Sequence, residues 1–279
     1  MPKVDNFDAI KALAIDLDGT ALLPDTSMGE RTVQCLKRLI AGGMQVIICT
    51  GRAIEGSLRY YSAIGAEGPM VFFNGAVVAD VPEVKIIDSR LMDTAIADYG
   101  IELARSMDLH FQMFLPPLGN SREALLVDKM RPEAEMYRKH TGITPVVTDM
   151  KAAIAAPEVR GCIKAAFITD PGLHDQIREK MLERFGSRIY IARTYPTFLE
   201  IMAAGVSKGE GLKTVMGCRG LKPDEVIAFG DEENDLPMFA AAGFSAAPAN
   251  AKEKVSSAAD YVFGSSAEEG MAAFLEKYF

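Results

Sequence analysis

Asp16 and Asp18 flank a single leucine at the end of the apolar run Ala12-Leu13-Ala14-Ile15, and Gly19-Thr20 follow them. Four apolar residues in succession suit a strand buried on both faces of a parallel sheet. Gly19 permits a sharp exit from it. The two carboxylates then stand at the carboxyl end of a strand, where open α/β sheets form their ligand crevice. Two carboxylates at this spacing can share a hard cation such as Mg²⁺, which takes oxygen ligands and keeps waters or phosphate oxygens around it. With its charge partly neutralised, an aspartate can attack phosphorus and form an aspartyl-phosphate. A second aspartate can protonate the leaving oxygen and later activate water. Taken alone, Asp-x-Asp-Gly is equally a turn with two solvated aspartates.

Three further loops carry compatible chemistry. Thr50-Gly51-Arg52 follows the apolar run 44–49. A hydroxyl, a glycine that lets amides come close, and the N-terminus of the helix expected next would favour an anion, and Arg52 could clamp it or face a neighbouring domain. Lys208 stands at a helix start and can neutralise phosphate as a point charge. Gly230-Asp231-Glu232-Glu233-Asn234-Asp235 follows the buried run 226–229. Each has a plainer reading: a strand-to-helix turn, a solvated lysine, an acidic loop at a helix N-terminus. Their convergence on one sheet edge, with acids and cations in complementary supply, favours the chemical one.

The elements that must position these loops read as follows. A chain of 279 residues, 49% apolar and 24% charged, exceeds the usual single domain, so two domains or one with a large insertion are expected. Ser27 and Glu30 form a capping box for a helix that Gly42-Gly43 ends. Asn74-Gly75 signals a tight hairpin after the strand 70–73. From 84 to 190 the style changes to strands at 110–115, 124–127, 161–169 and 188–193 with helices at 93–107, 132–140 and 172–185. Hairpin-length links there indicate a separate α+β layer. Residues 198–202 are read as a strand of the resumed first domain. Tyr261-Val262-Phe263 reads as its edge strand, and a final amphipathic helix follows over 267–278.

Composition excludes several classes. A net charge of −8 disfavours nucleic acid or an anionic membrane as partner. No stretch approaches the 18 or so apolar residues of a membrane span, and the N-terminus has no apolar signal region. Cysteines 35, 49, 162 and 218 lack CxxC spacing and histidines 110, 140 and 174 lack ligand spacing. The thiols read as reduced, in a cytoplasmic protein, and any metal as oxygen-bound.

Asp16-Leu17-Asp18-Gly19-Thr20, then Thr50-Gly51-Arg52, Lys208, and Gly230-Asp231 with Asn234-Asp235 resemble the four ordered motifs of the haloacid dehalogenase superfamily of phosphatases. The insertion, with Asn74-Gly75-Ala76, Gly205-Val206-Ser207-Lys208-Gly209 and Ala249-Asn250-Ala251, resembles the Cof-type sugar-phosphatase-like branch with an α/β cap. The resemblance implies a Rossmann-like, doubly wound parallel-sheet core over 1–83 and 191–279, and an inserted α+β cap over 84–190. It implies Asp16 as nucleophile and Asp18 as general acid/base and backbone-carbonyl metal ligand. Asp231 would be a further Mg²⁺ ligand, with Asp235 supporting the metal through water or an outer contact. Thr50 and Lys208 would bind the phosphoryl group, with Leu17, Gly51 and Asn234 around the phosphate, and Arg52 and Asn74 would contact substrate or cap. One departure is visible: Ala246-Ala247-Pro248 stands where the branch usually has Met-Gly before Asn-Ala, and Pro248 stiffens that loop.

These motifs imply a Mg²⁺-dependent hydrolase of a small phosphorylated metabolite, a sugar phosphate by the branch. A phosphomutase shares the aspartyl-phosphate, and a non-catalytic phospho-ligand sensor is the reading from another class. His110, Arg122, Tyr137 and Lys164 are polar residues of the cap whose facing the spacing does not fix. No pattern distinguishes a monomer from a homodimer.

Overall fold

The structure, a computed structural model, describes residues 7–117 and 122–279. The N-terminal hexapeptide and residues 118–121 lie outside the described residues. The chain is an α/β protein of two compact units, one formed by 1–88 with 207–279 and the other by 89–206.

The first unit is built on a five-stranded parallel sheet in the order Tyr261–Phe263, Phe244–Pro248, Val226–Phe229, Ala12–Ile15, Gln45–Ile48. Every residue of Ala12–Ile15 and of Val226–Phe229 is buried, as their unbroken apolar runs require. Alternation divides the faces. Ala12, Ala14, Ile47 and Ala228 pack with Leu212, Val215 and Met216 of helix Lys208–Arg219 and with Met238 of helix Leu236–Ala241. On the other face, Phe229 meets Phe274 of helix Gly270–Tyr278 edge-on, ring centroids 5.7 Å apart. Burying such an aromatic contributes about 1.5–3 kcal/mol. Helices therefore cover both faces, the Rossmann-like arrangement. Beside this sheet stands an antiparallel group, Gly68–Phe72, Val77–Val81 and Lys85–Ser89, joined to it by a bridge between Cys49 and Val71.

The second unit carries a six-stranded sheet in the order Ile189–Tyr195, Phe198–Ala203, Lys164–Ile168, His110–Leu115, Ala124–Val127, Val146–Val147. Its pairs are antiparallel except the last, with helices Thr94–Ser106, Pro132–Thr141 and His174–Phe185 alongside. Phe198–Ala203, expected in the first domain, pairs with Lys164–Ile168 and Ile189–Tyr195, so the insert runs to Val206. A short buried apolar run looks the same in either sheet, and only its hydrogen-bond partners decide.

Three local expectations are corrected. Ser27 does not cap helix Glu30–Ala41; its amide and hydroxyl both bond Asp25 Oδ1. That helix is capped from a distance by Glu269, whose Oε2 accepts from the Thr32 amide at 2.7 Å and the Thr32 hydroxyl at 2.9 Å. The helix after Arg52 starts only at Leu58, beyond a short 3-10 turn, so the amides near Thr50 belong to a loop. Asn74-Gly75 does join a hairpin, but through Phe73–Gly75 as a 3-10 turn in which Phe73, Asn74 and Gly75 all have positive φ. A Cβ on Gly75 would stand 2.0 Å from the Ser207 carbonyl.

Candidate active site

The parallel ladder continues one step past the strand, Asp16 N donating to the Phe229 carbonyl at 3.0 Å. That bond sets Asp16 at the carboxyl end of Ala12–Ile15, beside the central strand Val226–Phe229. The next residues turn away through Gly19 at φ +78, where a Cβ would lie 2.2 Å from Asp231 Oδ2. Only glycine lets this loop and the loop after Val226–Phe229 approach so closely.

Lys208 binds the two loops together. Its Nζ donates to Asp16 Oδ1 and Asp235 Oδ1, each at 2.6 Å, with all three side chains buried. Lys208 opens its helix behind Ser207, whose hydroxyl accepts from the Glu210 amide at 3.2 Å. A cation at a helix N-terminus opposes the helix dipole; the two carboxylates offset that. Their pull also outweighs burial and raises the lysine pKa, so the ammonium stays charged. Asp235 Oδ2 accepts from the amides of Asp231 and Glu232 at 2.9 and 3.0 Å. Asp231 Oδ1 accepts from the Thr20 hydroxyl at 2.9 Å.

Carboxylate oxygens of Asp16, Asp231 and Asp235 lie within 4.8 Å of one another, all three residues buried. Against three acids there is one ammonium. Burial raises the Asp16 pKa well above the carboxylate range; Lys208 pulls it down, while Asp235, Asp231 and Asp18 push it up. Asp231 is pushed up to about 7 by burial and by Asp235, against the Thr20 bond. A buried oxygen cluster short of positive charge fits a hard divalent cation such as Mg²⁺.

Asp18 is not in this cluster. Its side chain is 51% exposed and both its oxygens accept from Arg52, Nε to Oδ2 at 2.7 Å and Nη2 to Oδ1 at 2.5 Å. Arg52 thus meets a carboxylate of its own unit. Leu17 is wholly buried, so only its backbone could face a phosphate. Thr50 is buried too: its amide donates to Val71 O at 2.9 Å, and its Oγ1 accepts from the Arg52 amide at 3.1 Å. Asn234 Nδ2 donates to Asn74 Oδ1 at 3.0 Å, while the buried Asn234 Oδ1 has no partner among the described residues. A Cβ on Gly51 would stand 2.9 Å from that same Asn74 oxygen, so Gly51 lets the asparagine pair sit against the Thr50 loop.

Two residues escaped the sequence reading as site elements. Thr20 orients Asp231 across 211 positions. Asn250 Nδ2 donates to Gly19 O at 2.8 Å while its Oδ1 accepts from the Ser266 amide at 2.8 Å. Both stand inside motifs quoted above, Asp16–Thr20 and Ala249-Asn250-Ala251, but their partners do not show in the sequence, since both bonds join loops distant in it. In the second unit His110 is buried with Nε2 3.1 Å from Gln112 Oε1, Lys164 is buried against Glu200 at 2.6 Å, Tyr137 is buried, and Arg122 is exposed. Among the described residues no helix is long and apolar enough to cross a membrane.

Comparison with known proteins shows what the whole chain is similar to. A family model for haloacid dehalogenase-like hydrolases matches residues 13–275. The chain is 28% identical to the 5-amino-6-(5-phospho-D-ribitylamino)uracil phosphatase of Bacillus subtilis over 96% of this chain and 97% of that protein. It is 27% identical to a chloroplastic endoribonuclease of Arabidopsis thaliana over 94% of this chain, which spans only 45% of that longer protein. A crystal structure from Thermotoga maritima superposes with a TM-score of 0.85 at 27% identity, covering 96% of this chain and 97% of that one.

Proposed function

The chain belongs to the haloacid dehalogenase-like hydrolases, Cof-type, and is a phosphatase, and from that premise we propose that it hydrolyses a small phosphorylated sugar through an aspartyl-phosphate on Asp16, with Mg²⁺. The observation that carries the reading is the buried set Asp16, Asp231 and Asp235 beyond the carboxyl ends of two adjacent parallel strands, with Lys208, at the start of its helix, bonded to Asp16 and Asp235. Asp16, Asp231 and Asp235 would hold the cation, which when bound supplies positive charge to phosphate oxygens. Asp235, whose oxygens already serve Lys208 and two amides, is the most committed to the protein.

Asp16 attacks phosphorus with the oxygen that Lys208 leaves free. The bond to the ester oxygen breaks, and that oxygen takes a proton from the acid/base residue, Asp18. Lys208 and the Thr50 hydroxyl bind the transferring group, whose charge needs fixed positive partners more than covalent help. Asn234, whose Nδ2 is held on Asn74 Oδ1 at 3.0 Å, is assigned to the phosphate end of the site. Water then displaces Asp16. The inserted unit is assigned the choice of ester, and the free thiols Cys35, Cys49 and Cys162 suit a cytosolic location.

The experiment is phosphate release from a panel of hexose and pentose phosphates with Mg²⁺, wild type beside Asp16→Asn. Asp16-dependent release of free phosphate is expected. An isomeric ester as product would make the chain a mutase, and release surviving Asp16→Asn would remove Asp16 as nucleophile.

A further inference from the structure

We propose that Arg52 is a positioning residue that presents the Asp18 carboxylate as the base for the second, hydrolytic half of the reaction. The inference rests on the phosphatase reading above and divides labour within it.

Asp18 lies two residues from Asp16, yet its side chain leaves the acid cluster for the guanidinium of Arg52. Two parallel N–H···O bonds fix the plane of the carboxylate as well as its place. Arg52 is itself held on several sides. Its amide donates to Thr50 Oγ1 at 3.1 Å and its carbonyl accepts from the Phe73 amide at 3.0 Å. Its guanidinium carbon lies 5.2 Å from the ring centre of buried Tyr60, whose hydroxyl donates to Thr26 O at 2.8 Å.

The burial is lopsided: 11% of the Arg52 side chain is exposed against 51% of Asp18. Stability does not account for this, because water screens a pair with one half-exposed partner and leaves it little net gain, while ordering an arginine costs side-chain entropy. A base needs this asymmetry: a carboxylate open to water, locked by a buried support. Both oxygens face the guanidinium, and their remaining lone pairs are acceptors. In the hydrolytic step the water oxygen bonds to phosphorus, and the phosphorus–oxygen bond to Asp16 breaks, its electron pair returning to that carboxylate. The water proton goes to Asp18.

The test uses p-nitrophenyl phosphate at saturation with Mg²⁺ in rapid mixing, because nitrophenolate leaves without an acid. First-turnover release then reports attack by Asp16, and the steady state reports hydrolysis. In Arg52→Gln, steady-state turnover should fall about 100-fold and first-turnover release less than about tenfold. A burst approaching one equivalent per enzyme should therefore develop. Asp18→Asn should give the same pattern, and the double variant should be no slower than Asp18→Asn alone, which is the mark of one residue acting through the other. Arg52→Lys keeps the charge without the fork and should still show a burst.

Parallel loss in both phases, a double variant slower by the product of the two effects, or wild-type kinetics in Arg52→Lys would each overturn the positioning role while leaving the phosphatase reading intact. Nitrophenolate release that survives Asp16→Asn would overturn both.

Discussion

Lys208 Nζ and Asp16 Oδ1 are 192 residues apart in the chain and 2.6 Å apart in the fold. One ammonium, shared with Asp235, closes the gap between the two parts of a unit that the insertion interrupts. It leaves the acids in excess, so the site stores charge repulsion that a bound cation relieves.

Changes in this cluster should therefore move stability in opposite directions by sign of charge. In EDTA at pH 8, Asp231→Asn should raise the melting temperature. Lys208→Met, which strands buried carboxylates, should lower stability by about 3–5 kcal/mol. Mg²⁺ should raise the wild-type melting temperature as a ligand of the native state and raise that of Asp231→Asn far less. Thermal unfolding of the three proteins with and without the ion checks this; an equal Mg²⁺ response in Asp231→Asn would remove Asp231 from the ligands.

Glu269 caps helix Glu30–Ala41 across 237 positions. Glu269→Ala should cost about 1 kcal/mol or somewhat more, as loss of a helix cap does, with turnover unchanged because its carboxylate serves Thr32. Ser27→Ala should cost less than half as much. Urea unfolding of both variants decides whether the distant cap outweighs the local serine.

Lys164 and Glu200 form an ion pair with both side chains 6% exposed, on neighbouring strands of the inserted sheet. Glu200→Gln leaves an ammonium buried without its counter-charge and should cost about 3–5 kcal/mol, whereas Lys164→Met with Glu200→Leu should recover most of that. If the single and double variants unfold alike in urea, the pair is not an energetic unit.

His110 is buried beside Gln112, and burial holds its pKa below the ordinary 6.5, against the raising effect of the Gln112 bond and of Glu133. The unfolded chain therefore takes up the proton first, so this residue's contribution is complete above about pH 6.5 and is lost as pH falls through the folded value. Hydrogen exchange in His110–Leu115 should quicken between pH 7 and 5.5 relative to the first unit's sheet, and His110→Gln should reduce the difference. An unaltered difference in the variant would assign the acid sensitivity to other groups.

The sequence alone determined the fold class, the strand that ends at Asp16, the order of the motif loops and the identity of the acids and of Lys208. Those are properties of short runs: an unbroken apolar stretch forms a buried strand, and polar residues at its end have no other place than the sheet edge. Ala124–Val127 was legible for the same reason. Tertiary structure alone decided partnership. That Arg52 takes Asp18, that Thr20 orients Asp231, that Glu269 rather than Ser27 serves the first long helix, and that Phe198–Ala203 joins the inserted sheet all depend on groups brought close from distant positions. Local periodicity says which way a side chain points. It carries no record of what stands opposite, because a hydrogen bond or ion pair is set by distance in space and by what burial leaves without water.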